Sequence, residues 1–98
     1  MSVTTALRNT VLIVNRRGLH ARAAAKFMKL AAQYHCDITV ARNDTTVPGR
    51  SLMGLLTLGA SQDKEIEIVC HGDDAQQALD ALTDLVTRGF DENDHDGS

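Results

Sequence analysis

A chain of 98 residues has room for one hydrophobic core, and its 43% hydrophobic and 23% charged content is ordinary for a globular domain, which sets aside disordered and fibrous classes. A net charge of −3 argues against nucleic acid as a partner, and Leu52 to Ala60, the longest nearly apolar stretch, is far short of a membrane span. Met1 to Ala6 lacks the basic start and apolar centre of an export signal, and two cysteines without one suit a reducing cytoplasm, so a cytoplasmic protein with no membrane insertion is expected.

Thr10 to Val14 is a β-branched apolar run and reads as a strand, closed by the polar turn Asn15-Arg16-Arg17-Gly18. From Ala21 to Tyr34 the period changes. Ala24, Phe27, Met28, Ala31 and Tyr34 fall on one helical face, with Arg22, Lys26, Lys29 and Gln33 opposite. Cys36 to Arg42 alternates as a second strand, Asn43-Asp44 suits a hairpin turn, and Thr45 to Val47 returns as a third. Ser51 to Leu58 reads as a short helix, capped by Ser51 and ended by Gly59. Glu65 to Cys70 is a fourth strand with Ile66, Ile68 and Cys70 inward, and Ala75, Ala78, Leu79, Leu82 and Leu85 mark a closing helix to about Arg88. The aromatics are Phe27, Tyr34 and Phe90, so alanine and branched aliphatics must build most of the core. The order predicts an α+β domain, a four-stranded antiparallel sheet covered on one face by two main helices and a short one. Residues 1–90 form that domain, and Asp91 to Ser98 is an acidic tail expected to be disordered.

Charge divides unevenly along the chain. Arg8, Arg16, Arg17, Arg22, Lys26 and Lys29 precede every acidic residue, and all thirteen acids follow from Asp37 onward. A basic first third suits a phosphate or an acidic protein surface. Within it, His20 stands just before a helix and just after a glycine turn. Helix-start amides point outward without partners, and with the positive end of the helix dipole they bind anions. That potential also favours the neutral, nucleophilic imidazole. The backbone of Ala21, Arg22 and Ala23 is therefore a candidate phosphate cradle, and Arg22 a guanidinium clamp. No Walker-type glycine loop or magnesium carboxylate pair accompanies them, so the pattern is that of an acceptor rather than a kinase.

Gly18-Leu19-His20-Ala21-Arg22, followed by Ala24-Ala25-Lys26-Phe27, resembles the phosphorylation-site signature of the HPr family, the histidine-containing phosphocarriers of the bacterial phosphoenolpyruvate-dependent phosphotransferase system. Arg50 to Gly59 resembles the segment around that family's regulatory serine, and His20 and Ser51 lie 31 positions apart, as they do there. The resemblance covers about residues 9 to 90 and implies an open-faced β-sandwich. It further implies that His20 takes a phosphoryl group on Nδ1 from enzyme I and passes it to a histidine of an enzyme IIA protein. The chain would then be a protein substrate in a relay, not an enzyme, and would need no cofactor. Ser51 becomes a target for HPr kinase/phosphorylase. Arg17 with Leu52, Met53 and Leu56 becomes a docking face, since that short helix is too apolar to be buried on one side only.

Two departures accompany the likeness. Ala23 stands where the family usually has proline, which adds an amide at the cradle, and Asn15 and Arg17 differ from several sugar-transport members. The sugar-uptake and nitrogen-type regulatory branches both stay open. On the residues alone, so do a metabolite-binding regulatory domain and a pure interaction module. His35-Cys36 and Cys70-His71 make a paired motif, but alternation places the histidines opposite the thiols, a poor tetrahedron, so no metal site is expected.

Overall fold

The computed structural model describes residues 5–92. The expected tail from residue 93 and the first four residues of the start read as signal-free lie outside them. The centre of the sheet is the strand with the cleanest alternation. In β4 (Glu65–His71), Ile66, Ile68 and Cys70 are buried while Glu65 and His71 are exposed. It pairs antiparallel with β1 (Leu7–Leu12) on one side and with β2 (Asp37–Arg42) on the other. A hairpin joins β2 to β3 (Thr45–Pro48), giving the order β1-β4-β2-β3. Asn43 takes the left-handed conformation in that hairpin (φ 55°), the geometry for which Asn and Asp are suited.

The helices α1 (Ala21–Ala31) and α3 (Ala75–Thr87) lie against the sheet, and α2 (Leu52–Thr57) packs beside α1. Ala75, Ala78, Leu79, Leu82 and Leu85 are all buried, as their spacing requires. The largest fully enclosed side chains include Phe27 from α1, Leu55 from α2, Ile66 and Ile68 from β4, Leu82 from α3, Phe90 just beyond it, and Ile13 after β1. Ser51 caps α2, its Oγ accepting the Gly54 amide at 3.0 Å. The α+β architecture predicted from the element order is the one observed.

Three segments differ by more than one residue from their expected bounds, each for a physical reason. β1 begins at Leu7 rather than Thr10 and ends at Leu12. It is an edge strand whose Arg8, Asn9 and Thr10 face water, so pairing with the long β4 draws in polar residues that carry no apolar signal. α1 ends at Ala31, and its pattern runs on through Tyr34 as tight turns in which Gln33 and Tyr34 bond back to Leu30 and Ala31. The domain does not stop at residue 90. Gly89–Asp91 form a 3-10 turn in which Gly89, Phe90 and Asp91 all have φ near +60° (66°, 58° and 62°). Two of these carry side chains, for which such a backbone costs roughly 1–2 kcal/mol each. Complete burial of the Phe90 ring offsets that cost.

Candidate functional site

The segment between β1 and α1 is tied down residue by residue. Ile13 exchanges backbone hydrogen bonds with the 63–64 turn, its amide reaching Lys64 at 2.9 Å and its carbonyl accepting from Asp63 at 2.8 Å. The Leu19 amide donates to the Ala60 carbonyl at 2.8 Å, and the Leu19 side chain is buried. Between them Gly18 takes φ +66°, where a side-chain carbon would stand 2.6 Å from the Ala60 oxygen. Only glycine fits that approach.

This anchoring delivers His20 to the residue before α1, with an extended backbone (φ −78°, ψ 179°). The first helical hydrogen bond runs from the Ala24 amide to the His20 carbonyl at 2.8 Å. The amides of Ala21, Arg22 and Ala23 therefore precede the helical ladder and have no acceptor within it. Ala23, where a proline was expected from the resemblance, is fully buried. Beside the imidazole lies a shallow cleft of about 190 Å³ lined by Arg17, Leu19, His20, Gly59, Ala60 and Ser61.

The imidazole is not the open surface group expected of a turn. Its side chain is 16% exposed, and Nε2 is hydrogen-bonded to the Glu92 carboxylate. Glu92, itself 13% exposed, falls in the tail whose composition predicts disorder. The polar composition of that tail conceals a tertiary contact that no local pattern encodes. Asn15, almost wholly buried, donates from Nδ2 to the other Glu92 oxygen at 2.9 Å and to the Gly18 carbonyl at 2.8 Å. Both neighbours are acceptors, so they determine which way the amide points. Burial opposes ionisation of Glu92, but the hydrogen bonds from Asn15 and His20 and the charges of His20 and Arg17 outweigh it and hold the carboxyl below its ordinary value. Lys26 also departs from expectation. Placed on the solvent face by periodicity, it is half-buried, and its ammonium donates to the Phe90 carbonyl at 2.7 Å, fastening the strained turn to α1.

Of the other candidates, Arg17 and Arg22 are both exposed, and Arg17 lines the cleft while Arg22 does not. Met53 is 70% exposed, whereas Leu52 and Leu56 are half-buried against the core and Leu55 is enclosed. The open part of that patch is thus narrower than four apolar residues. Ser51 is half-buried at the start of α2, and Gly59 to Ser61, beyond the helix's other end, flank His20. The helix between spans about 9 Å. Cys36, just before β2, and Cys70, on the neighbouring β4, are free buried thiols, and burial pushes both upward, Cys70 to about 12, while His35 and His71 are exposed. Among the described residues no helix is long and apolar enough to cross a membrane.

Comparison with known proteins matches residues 7–88 to the family described as the PTS HPr component phosphorylation site. The phosphocarrier protein HPr of Neisseria meningitidis is 41% identical over 90% of this chain and 99% of its own length. The phosphocarrier protein NPr of Shewanella violacea is also 41% identical, over 90% of this chain and 97% of its own. In three dimensions, HPr-C-His from Thermoanaerobacter tengcongensis superposes with a TM-score of 0.85 at 37% identity, covering 89% of this chain and 98% of that one. The match runs through the pinned loop, the histidine at the helix start and the sheet behind them, and the chain belongs to the HPr family of phosphocarrier proteins, which carry a phosphoryl group rather than catalyse its transfer.

Proposed function

We propose that His20 accepts a phosphoryl group from phosphorylated enzyme I and hands it to a histidine of an enzyme IIA protein, in the cytoplasm. The observation that carries this reading is the placement of the imidazole. It stands at the mouth of α1, beside three amides outside the helical ladder and a cleft edged by Arg17. Because Nε2 is engaged by Glu92, Nδ1 is the ring nitrogen left to act as nucleophile. Phosphate bound there gains from the helix dipole and the Ala21, Arg22 and Ala23 amides. Arg22, exposed on the first turn, and Arg17 supply the positive charge that in-line transfer needs. Arg17 with Met53 and the exposed parts of Leu52 and Leu56 forms the docking face. Ser51 is the site at which a kinase regulates transfer: a phosphate carrying about −1.5 to −2 charges at that face disfavours docking while leaving the α2 cap stable. The reading serves a sugar-uptake or a nitrogen-type branch alike.

The test is incubation with enzyme I and phosphoenolpyruvate followed by intact mass measurement. The wild-type chain should gain one acid-labile phosphoryl group and His20→Ala none, with a native spectrum retained. Phosphate appearing on His35 or His71 in that variant would overturn the assignment.

A further inference from the structure

A hollow of about 570 Å³ lies on the face of the sheet that the helices leave open, a larger space than the cleft of about 190 Å³ beside His20. That volume falls within the range of small-molecule sites. Its floor is the outward row of three strands, with Thr10 and Ala41 on either side of Glu67 and with Leu12 opposite Glu65. Its rims are the hairpin at Arg42 and Asn43 and the turn at Asp63 and Lys64. Glu67 is already met by Arg8 at 3.6 Å. Two cations, Arg42 and Lys64, and two acids, Asp63 and Glu65, have no ion-pair partner among the described residues. The Arg42 guanidinium gives one donor to the Leu58 carbonyl at 3.1 Å, and its other N–H groups remain for a ligand.

Unpaired charges of both signs select the class of ligand. A simple anion would meet Asp63 and Glu65, a simple cation would meet Arg42 and Lys64, and an uncharged sugar would leave all four without a counter-charge. A molecule with a carboxylate and an ammonium a few bonds apart answers both signs, and Leu12 and Ala41 in the floor suit an apolar substituent. We propose that the hollow binds a free α-amino acid with an apolar side chain, its carboxylate toward Arg42 and Lys64 and its ammonium toward Asp63 and Glu65. The hollow also shares a wall with the cleft beside His20: in the turn of residues 60–64, Ala60 and Ser61 line the cleft, while Asp63 and Lys64 line the hollow. The same turn supports the loop that carries the histidine. Its Ala60 carbonyl accepts the Leu19 amide at 2.8 Å, its Lys64 carbonyl accepts the Ile13 amide at 2.9 Å, and Gln62 donates to the Val14 carbonyl at 3.1 Å. An occupant bridging Lys64 to Arg42 across the strands therefore stiffens the support of the His20 loop.

The test is an amide NMR titration of the full chain with L-leucine and with L-phenylalanine, using acetate, methylammonium and glucose as controls that each carry part of the chemistry. At least one of the two amino acids should shift the amides of Asn43 and of Asp63 to Glu67 saturably, and no control should saturate over the same concentrations. Lys64→Gln and Glu65→Gln, both substitutions of exposed side chains, should fold as wild type does and weaken binding about tenfold or more. Bound amino acid should also slow hydrogen exchange at the Ile13 and Leu19 amides, whose acceptors belong to the shared turn. The site is overturned if neither amino acid saturates, if any control binds as well, or if both variants bind like wild type. Saturable binding that leaves exchange at Leu19 unchanged would overturn the link to the His20 loop. No phosphoryl donor enters the titration, so its result stands apart from the assignment of His20 as the acceptor.

Discussion

Replacing Gly18 by alanine measures how tightly the loop before His20 is held. At this position φ is +66°, and an added methyl carbon lies 2.6 Å from the Ala60 carbonyl oxygen and 2.8 Å from the Ser61 Cα. Both are backbone atoms, and that carbonyl already accepts the Leu19 amide, so neither can turn aside as a side chain can. Left-handed backbone costs alanine about 1–2 kcal/mol, and an overpacked contact adds about 1–3 kcal/mol. Gly59 is the matched control: its φ is +59°, yet an added methyl meets nothing within 4 Å. In both variants a stiffer unfolded chain offsets about 0.4–1 kcal/mol. Gly18→Ala should therefore lose about 2–4 kcal/mol and Gly59→Ala about 1 kcal/mol or less. Urea denaturation resolves that gap, and thermal melting should place the Gly18 variant roughly 10–20 °C below wild type. Phosphoryl acceptance should fall in the Gly18 variant. Equal destabilisation by the two substitutions would refute the reasoning, because the backbone cost is common to both and only the clash separates them.

Phe90→Ala removes a fully enclosed ring and should cost about 3–5 kcal/mol in urea, with histidine spectra showing release of Glu92. The Glu92 carboxyl sits below its ordinary value of 4.5 in the folded protein, so the unfolded chain takes up that proton first as pH falls. Its contribution is complete above about 4.5 and is lost as pH drops through the lower folded value; the stability gap between wild type and Glu92→Gln should be flat near neutrality and shrink in acid. Cys36 and Cys70, buried and pushed upward, should resist iodoacetamide in the native state, so that their labelling tracks global unfolding.

What could be read from the chain alone follows the range of the forces involved. The α1 face of Ala24, Phe27 and Ala31, the inward set of β4 and the Ser51 cap are local patterns, and each sits where its spacing places it. His20 was legible for the same reason: a glycine turn, a histidine and a helix start are adjacent in the chain. Glu92 lies 72 positions from His20, and nothing near it in the sequence speaks of that partner. The available signal was Gly89-Phe90, since a phenylalanine at the edge of an acidic tail needs somewhere to be buried and carries its neighbours with it. Lys26 misled in the opposite direction, because a helical wheel assigns its Cβ to the solvent side while its long stem reaches round to a carbonyl.

The polar residues that obscured the start of β1 have a consequence for how the molecule meets copies of itself. A sheet with two open edges invites further strands to add by backbone hydrogen bonding, and four strands in the order observed leave β1 and β3 at those edges. β1 presents Arg8, Asn9 and Thr10 to water, with Arg8 3.6 Å from Glu67 on its neighbour, so an incoming strand would have to strip water from charge. β3 is four residues long and ends in Pro48, which has no amide hydrogen to offer. Both margins of the sheet are thus unattractive to any incoming strand, one from a second copy of the chain included.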